Sequence, residues 1–298
     1  MATYSIDMEL TNLCENGCAF CPRWAMTRGL GMMEAEVFEG IITSLRNSLA
    51  LVTLSGMGDP LLHPRVFEFI ECLNRLGIKN GIVINPATIL AKGKGLKEEL
   101  LSSRPGSLTI SFPSVRRGVF EKLMPGVDFK EALSIALELA GLFMEHGCGV
   151  RVSGLITGLN PDEAPHFRAF WMKKGIPSWV RECHSRGGHP MGLLPVSKGK
   201  GLRPDRCWLF ENHWFVSWDG RVLACCHDLT GETSLGNVAS VGIEGVLLER
   251  EARIRGRFPH FPLCNVCDEP LKDPPARIRR SFLRLVEKKR NRKGGELM

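Results

Sequence analysis

The chain has 298 residues, 44% of them hydrophobic and 24% charged, with a formal net charge of +7. This is the composition of an ordinary globular protein that can hold one large domain, or one large and one small. No apolar run approaches the ~20 residues that span a bilayer, and the N-terminus lacks a basic segment followed by an apolar one, so membrane and secretory classes are set aside and a cytoplasmic location is expected.

In chain order, candidate strands fall at 4–10, 50–55, 80–85, 107–112, 149–155 and 178–183, each short, rich in Val, Ile or Leu and bounded by Gly, Pro or Asn. Amphipathic helical patterns at 34–47, 65–76, 94–103, 128–146 and 162–174 lie between them, with Phe38, Ile41, Ile42 and Leu45 on one face. Six strand–helix units in series predict parallel strands joined by right-handed crossovers. The expected fold class is α/β, a partial (β/α)6 TIM-like barrel, with ligands gathered at the carboxyl ends of its strands. This barrel domain is placed at 1–190. A Gly- and Pro-rich linker follows at 191–206, and a small cysteine-rich domain at 207–270. In that domain Trp214–Trp218 and Arg221–Cys225 flank Asp219-Gly220, a hairpin signal with a two-residue turn, and a helix is expected at about 240–254. The tail, 271–298, is basic: residues 277–293 hold nine Arg or Lys against one Glu, which leaves the remainder of the chain close to neutral. It reads as the solvated face of a terminal helix or as a docking site for an acidic electron carrier, with nucleic acid a weaker option.

Eleven cysteines in such a chain point to metal or redox chemistry rather than disulfides. Cys14, Cys18 and Cys21 form C-x3-C-x2-C on the loop after the first strand, with Phe20 before the last cysteine and Asn12 and Pro22 flanking. Three thiolates leave one iron of a 4Fe–4S cube open. A structural zinc site would supply a fourth ligand nearby, and neither His nor Cys follows within forty residues. After the second strand comes Ser55-Gly-Met-Gly-Asp59, a turn whose glycines allow close backbone approach to a small zwitterion. Asn85 and Ser111 end the third and fourth strands. Cys207, Cys225, Cys264 and Cys267 form a second set that completes either a cube or a zinc site.

These motifs resemble the radical S-adenosylmethionine (SAM) superfamily, and the C-terminal cysteines resemble the auxiliary-cluster extension of its twitch/SPASM-type enzymes, in the short one-cluster form of aminocyclitol dehydrogenases. The resemblance implies two 4Fe–4S clusters, one on Cys14, Cys18 and Cys21 and one on Cys207, Cys225, Cys264 and Cys267. It implies SAM contacts from Phe20, Gly56, Gly58, Asp59, Asn85 and Ser111, although the family more often has Glu where this chain has Asp59. It further implies a flavodoxin or ferredoxin-type electron donor and a 5′-deoxyadenosyl radical that takes hydrogen from a small polar substrate. The expected outcome is net dehydrogenation of a sugar or aminocyclitol-type alcohol. Epimerisation and peptide maturation are the rival enzyme readings, and a zinc-stabilised nucleic-acid-binding protein is the remote one. His184, Arg186 and His189 at the barrel mouth are candidate bases or anion anchors, with Arg23 and Trp24 at the rim. Cys226, beside Cys225, reads either as a buried small hydrophobe or as a hydrogen-atom donor, and Cys183 carries the same two readings.

Overall fold

The computed structural model describes residues 4–183, 187, 207–256 and 260–267. The six expected strands form at Tyr4–Met8 (β1), Leu49–Leu54 (β2), Asn80–Ile84 (β3), Ser107–Ser111 (β4), Gly149–Ile156 (β5) and Ser178–Glu182 (β6). All pair in parallel with their neighbours, joined by helical crossovers. The longest of these helices, Phe129–Glu145, starts at Asp128, whose carboxylate accepts from the Lys130 and Glu131 amides.

Side-chain alternation along the strands divides the sheet into two faces. Ile6, Met8, Val52, Leu54, Ile82, Ile84, Leu108, Ile110, Val150 and Val152 are buried and join one apolar core with Phe38, Phe69, Phe143 and Trp171 of the helices. The intervening positions Ser5, Asp7, Thr53, Ser107, Ser111 and Ser153 are only half-buried. A parallel sheet covered on both faces would read as continuous apolar runs. This alternation is that of a sheet keeping one face polar.

The C-terminal segment adds to the same sheet. Strands His213–Val216 (β7), Arg221–Leu223 (β8) and Ser234–Asn237 (β9) complete the order β6-β5-β4-β3-β2-β1-β7-β8-β9. β7 runs parallel to β1, and β8 and β9 are antiparallel. His213 Nε2 lies 2.8 Å from Asp7 Oδ2 across the β1–β7 seam. Burial alone would lower the His213 pKa, but the Asp7 carboxylate outweighs it and raises the value.

The expected hairpin forms with one difference. Ser217 N–H donates to Arg221 O, which leaves Trp218, Asp219 and Gly220 as a three-residue loop rather than a two-residue turn. Gly220 at φ 81° supplies the left-handed residue that closes such a loop. The helix expected at 240–254 spans Val238–Arg255 and is kinked at Gly242.

Candidate active site

The cysteine loop leaves the carboxyl end of β1 and is stapled on several sides. Asn12 donates from Nδ2 to Gly29 O at 2.7 Å and accepts from Gly31 N–H at 2.9 Å. Arg23, expected at the rim, instead donates to Cys14 O at 2.8 Å, while Trp24 stands exposed. Phe20 packs onto a small patch of Leu123, Val119, Leu155 and Cys183, and Ala19 N–H donates to Leu123 O. Cys183 is thus buried among apolar side chains close to the loop.

The glycine-rich turn lies against this loop. Ser55 N–H donates to Met8 O and Asp59 N–H to Leu13 O. A Cβ on Gly58 would stand 2.3 Å from Thr11 O, and one on Gly56 would meet the Glu9 side chain. Both glycines therefore serve the contact between turn and cluster loop. Glu9, fully buried, accepts from Met57 N–H at 2.9 Å and from both terminal nitrogens of buried Arg28 at 2.7 and 3.1 Å. This bidentate ion pair joins β1, the turn and the stretch after the cysteines, and its geometry is that of a strong charge-assisted bond.

Asp59 was expected to face the amino group of SAM. Its carboxylate is only 5% exposed and is turned inward. Oδ1 accepts from Leu61 N–H and Oδ2 from the Thr88 hydroxyl. Burial pushes its pKa up, against those two donors. Asn85 accepts from Ala87 N–H, capping helix Pro86–Lys92, while its amide nitrogen lies 3.9 Å from Cys18 Sγ. Ser111, half-buried, closes β4.

All eleven cysteines are free of disulfides. Burial and the neighbouring thiols push Cys18 up to about 12, and burial likewise raises Cys14. Cys14 and Cys18 resist ionisation alone, and cationic iron would stabilise such ligands as thiolates. The donor set and its N–H neighbours suit a cube with one open iron.

The second set is gathered as well. Cys207, Cys225, Cys264 and Cys267 line one pocket with His227 and the apolar Leu209, Phe210, Ala224 and Leu263. Burial pushes Cys225 well above the ordinary thiol range, with Cys226, Cys267 and Cys207 adding to it. Cys226 does not line this pocket; its sulfur lies 4.0 Å from His227 Nδ1. Among the described residues no three His, Cys, Asp or Glu side chains converge on a single metal-ion position. His184, Arg186 and His189 lie outside the described residues, as do the linker 191–206 and the basic tail.

Residues 8–170 match the family described as the radical SAM superfamily. The chain belongs to it. In this radical SAM protein residues 207–268 also match an iron–sulfur cluster-binding domain, SPASM, which spans all four cysteines of the second set. A curated relative, a probable GTP 3′,8-cyclase of Methanothermobacter thermautotrophicus, is 21% identical over 196 residues, covering 60% of this chain and 59% of its own length. Among solved structures, BtrN in complex with AdoMet and 2-DOIA aligns with TM-score 0.59 and 16% identity over 90% of this chain and 94% of that one. SuiB of Streptococcus suis bound to the precursor peptide SuiA aligns with TM-score 0.68 and 13% identity over 91% and 70%. Native anSMEcpe with bound AdoMet gives TM-score 0.62 and 14% identity over 91% and 92%. At these identities the likeness is one of fold. No described helix is long and apolar enough to cross a membrane.

Sequence spacing did not point to Asn16, Thr88, Glu9, Arg28 or Trp218. The Trp218 indole, on the hairpin loop, donates to Gly29 O at 3.0 Å, so the small domain touches the stretch that follows the cluster cysteines.

Proposed function

We propose that this radical SAM protein carries out net dehydrogenation of a small polar alcohol of the sugar or aminocyclitol type. The observation that carries the reading is the four-cysteine pocket. Cys207, Cys225, Cys264 and Cys267 can occupy every iron of an auxiliary 4Fe–4S cluster, so no coordination position is left for substrate, and such a group suits electron transfer. Cys14, Cys18 and Cys21 hold the other cluster, and SAM bound at its open iron supplies hydrogen abstraction from an unactivated C–H bond. Phe20, the Gly56–Gly58 turn, Asn85 and Ser111 surround that position. Substrate lies over the polar face of the sheet; His184 takes the proton that leaves the substrate hydroxyl, and Arg186 assists by holding the oxygen as that proton departs. A flavodoxin or ferredoxin-type protein supplies reducing electrons, and the protein works in the cytoplasm.

A second reading is oxidation or epimerisation of a peptide, favoured by the fold likeness to SuiB with its precursor peptide. Anaerobically reconstituted protein should hold about eight irons, and replacing Cys14, Cys18 and Cys21 by Ala should leave about four and abolish 5′-deoxyadenosine formation. Reaction in deuterated water with candidate alcohols should give a ketone or aldehyde without carbon-bound deuterium. Deuterium at an inverted carbon, lost in Cys226→Ala, would establish an epimerase instead.

A further inference from the structure

Asp59, Thr88, Asn16 and Cys14 form one continuous hydrogen-bond chain, although they come from three separate segments. The Thr88 hydroxyl donates to Asp59 Oδ2, and Asn16 Nδ2 lies 2.9 Å from Thr88 Oγ1 and 3.7 Å from Cys14 Sγ. Asp59 Oδ1 takes the Leu61 amide at 3.0 Å, and Thr88 is 5% exposed.

The polarity of the chain follows from proton counting. The Thr88 hydroxyl donates to Asp59 Oδ2, and a hydroxyl has one proton to give. The Thr88 oxygen must then accept from Asn16, and this fixes which end of the Asn16 amide faces inward. The amide has two N–H bonds. One goes to Thr88, and the other is left for the Cys14 sulfur. Reversing the amide would put a carbonyl oxygen against the same sulfur, where it would repel a thiolate.

We infer that Asn16 is a hydrogen-bond donor to the Cys14 ligand of the N-terminal cluster and that Asp59 and Thr88 are positioning residues that lock its direction, so that the Asn16 N–H raises the reduction potential of that cluster. The inference rests on the assignment of Cys14, Cys18 and Cys21 as its ligands. An N–H directed at a ligand sulfur stabilises the more negative, reduced cluster, and hydrogen bonds to sulfur are one of the protein's means of setting such potentials. Asp59 thereby acts from within the turn on iron chemistry, through Asn16, without touching SAM.

The test uses full-length, anaerobically reconstituted protein. Iron content is measured, and an EPR-monitored redox titration follows the signal that changes when SAM is added. Thr88→Val keeps the side-chain shape, removes the hydroxyl and touches no ligand. It should shift the midpoint to more negative potential with iron content unchanged, and Thr88→Ser should restore the wild-type value. Asn16→Leu should shift it the same way, and SAM affinity, measured by calorimetry, should stay within about twofold of wild type in Asn16→Leu and in Asp59→Asn. An unchanged midpoint in Thr88→Val with the cluster intact would overturn the inference, as would a tenfold loss of SAM affinity in Asp59→Asn. If Asn16→Leu loses its cluster, Thr88→Val decides by the same readout. Survival of the SAM-responsive signal in the Cys14, Cys18, Cys21→Ala protein would instead strike the ligand assignment itself.

Discussion

Asp228 accepts five hydrogen bonds on one buried carboxylate. Thr230 N–H, Thr230 Oγ1 and Gly231 N–H reach Oδ1, and Thr233 N–H and Oγ1 reach Oδ2. Burial alone would raise its pKa, but these donors outweigh burial and hold it below the ordinary carboxylate range. A carboxylate with a depressed folded-state pKa contributes stability that is present above its unfolded value of ~3.9 and disappears as pH falls through the folded value. Asp228→Asn should therefore lower the urea midpoint at pH 7, and its deficit should shrink as the pH is taken below about 4. A deficit that stays constant with pH would show that the carboxylate's charge is not what holds the 228–233 loop. The contrast with the cluster cysteines shows what a sequence discloses at this scale. Residues on one loop leave a fixed spacing, which is why Cys14, Cys18 and Cys21 are visible as a unit. Thr88 lies 29 positions from Asp59 and 72 from Asn16, so no local pattern connects them.

Elements repeat the lesson in another form. The six barrel strands were legible because each is a short apolar run set between turn residues. β7 was legible as a hairpin strand, but its pairing was not, since nothing in His213–Val216 states that β1 is its other neighbour. The connection between β1, the glycine-rich turn and Arg28 depends on Glu9, and its residues are spread over 48 positions. Removing one partner of a buried ion pair leaves the other charged and unpartnered, a cost of about 3–5 kcal/mol. Glu9→Ala should lose stability in that range, measured by chemical denaturation, and should lose iron from the N-terminal loop because the turn that braces it is freed. Full iron retention in a variant destabilised by less than 1 kcal/mol would show that Glu9 does not brace the loop.

For the whole molecule, the two family regions share one sheet. β7 sits on the edge of β1, where Glu9 N–H donates to Val216 O and His213 meets Asp7. A protein ending at residue 206 would leave that edge of β1 unpaired, and an open edge of this kind templates association with other chains. Expressed alone, residues 1–206 should aggregate or run as oligomers on size-exclusion chromatography. A monodisperse, reconstitutable monomer would show that the β1–β7 seam is dispensable. The same seam explains why the small domain reaches the cluster loop at all: β7 is parallel to β1, so its hairpin loop projects from the end of the sheet that carries Cys14, Cys18 and Cys21, and Trp218 meets Gly29 there.

The position of β7 also sets an order in time. β1 is complete once Met8 has been made, yet the strand that covers its free edge ends at Val216, roughly 200 residues later. At ~5–20 residues per second of synthesis, the interval is on the order of 10–40 s. Throughout that wait the nascent barrel presents an open strand to solvent beside Cys14, Cys18 and Cys21. Loading of the first cluster is therefore best timed after the chain is finished, when the seam has closed and the loop that receives the iron has all of its supports.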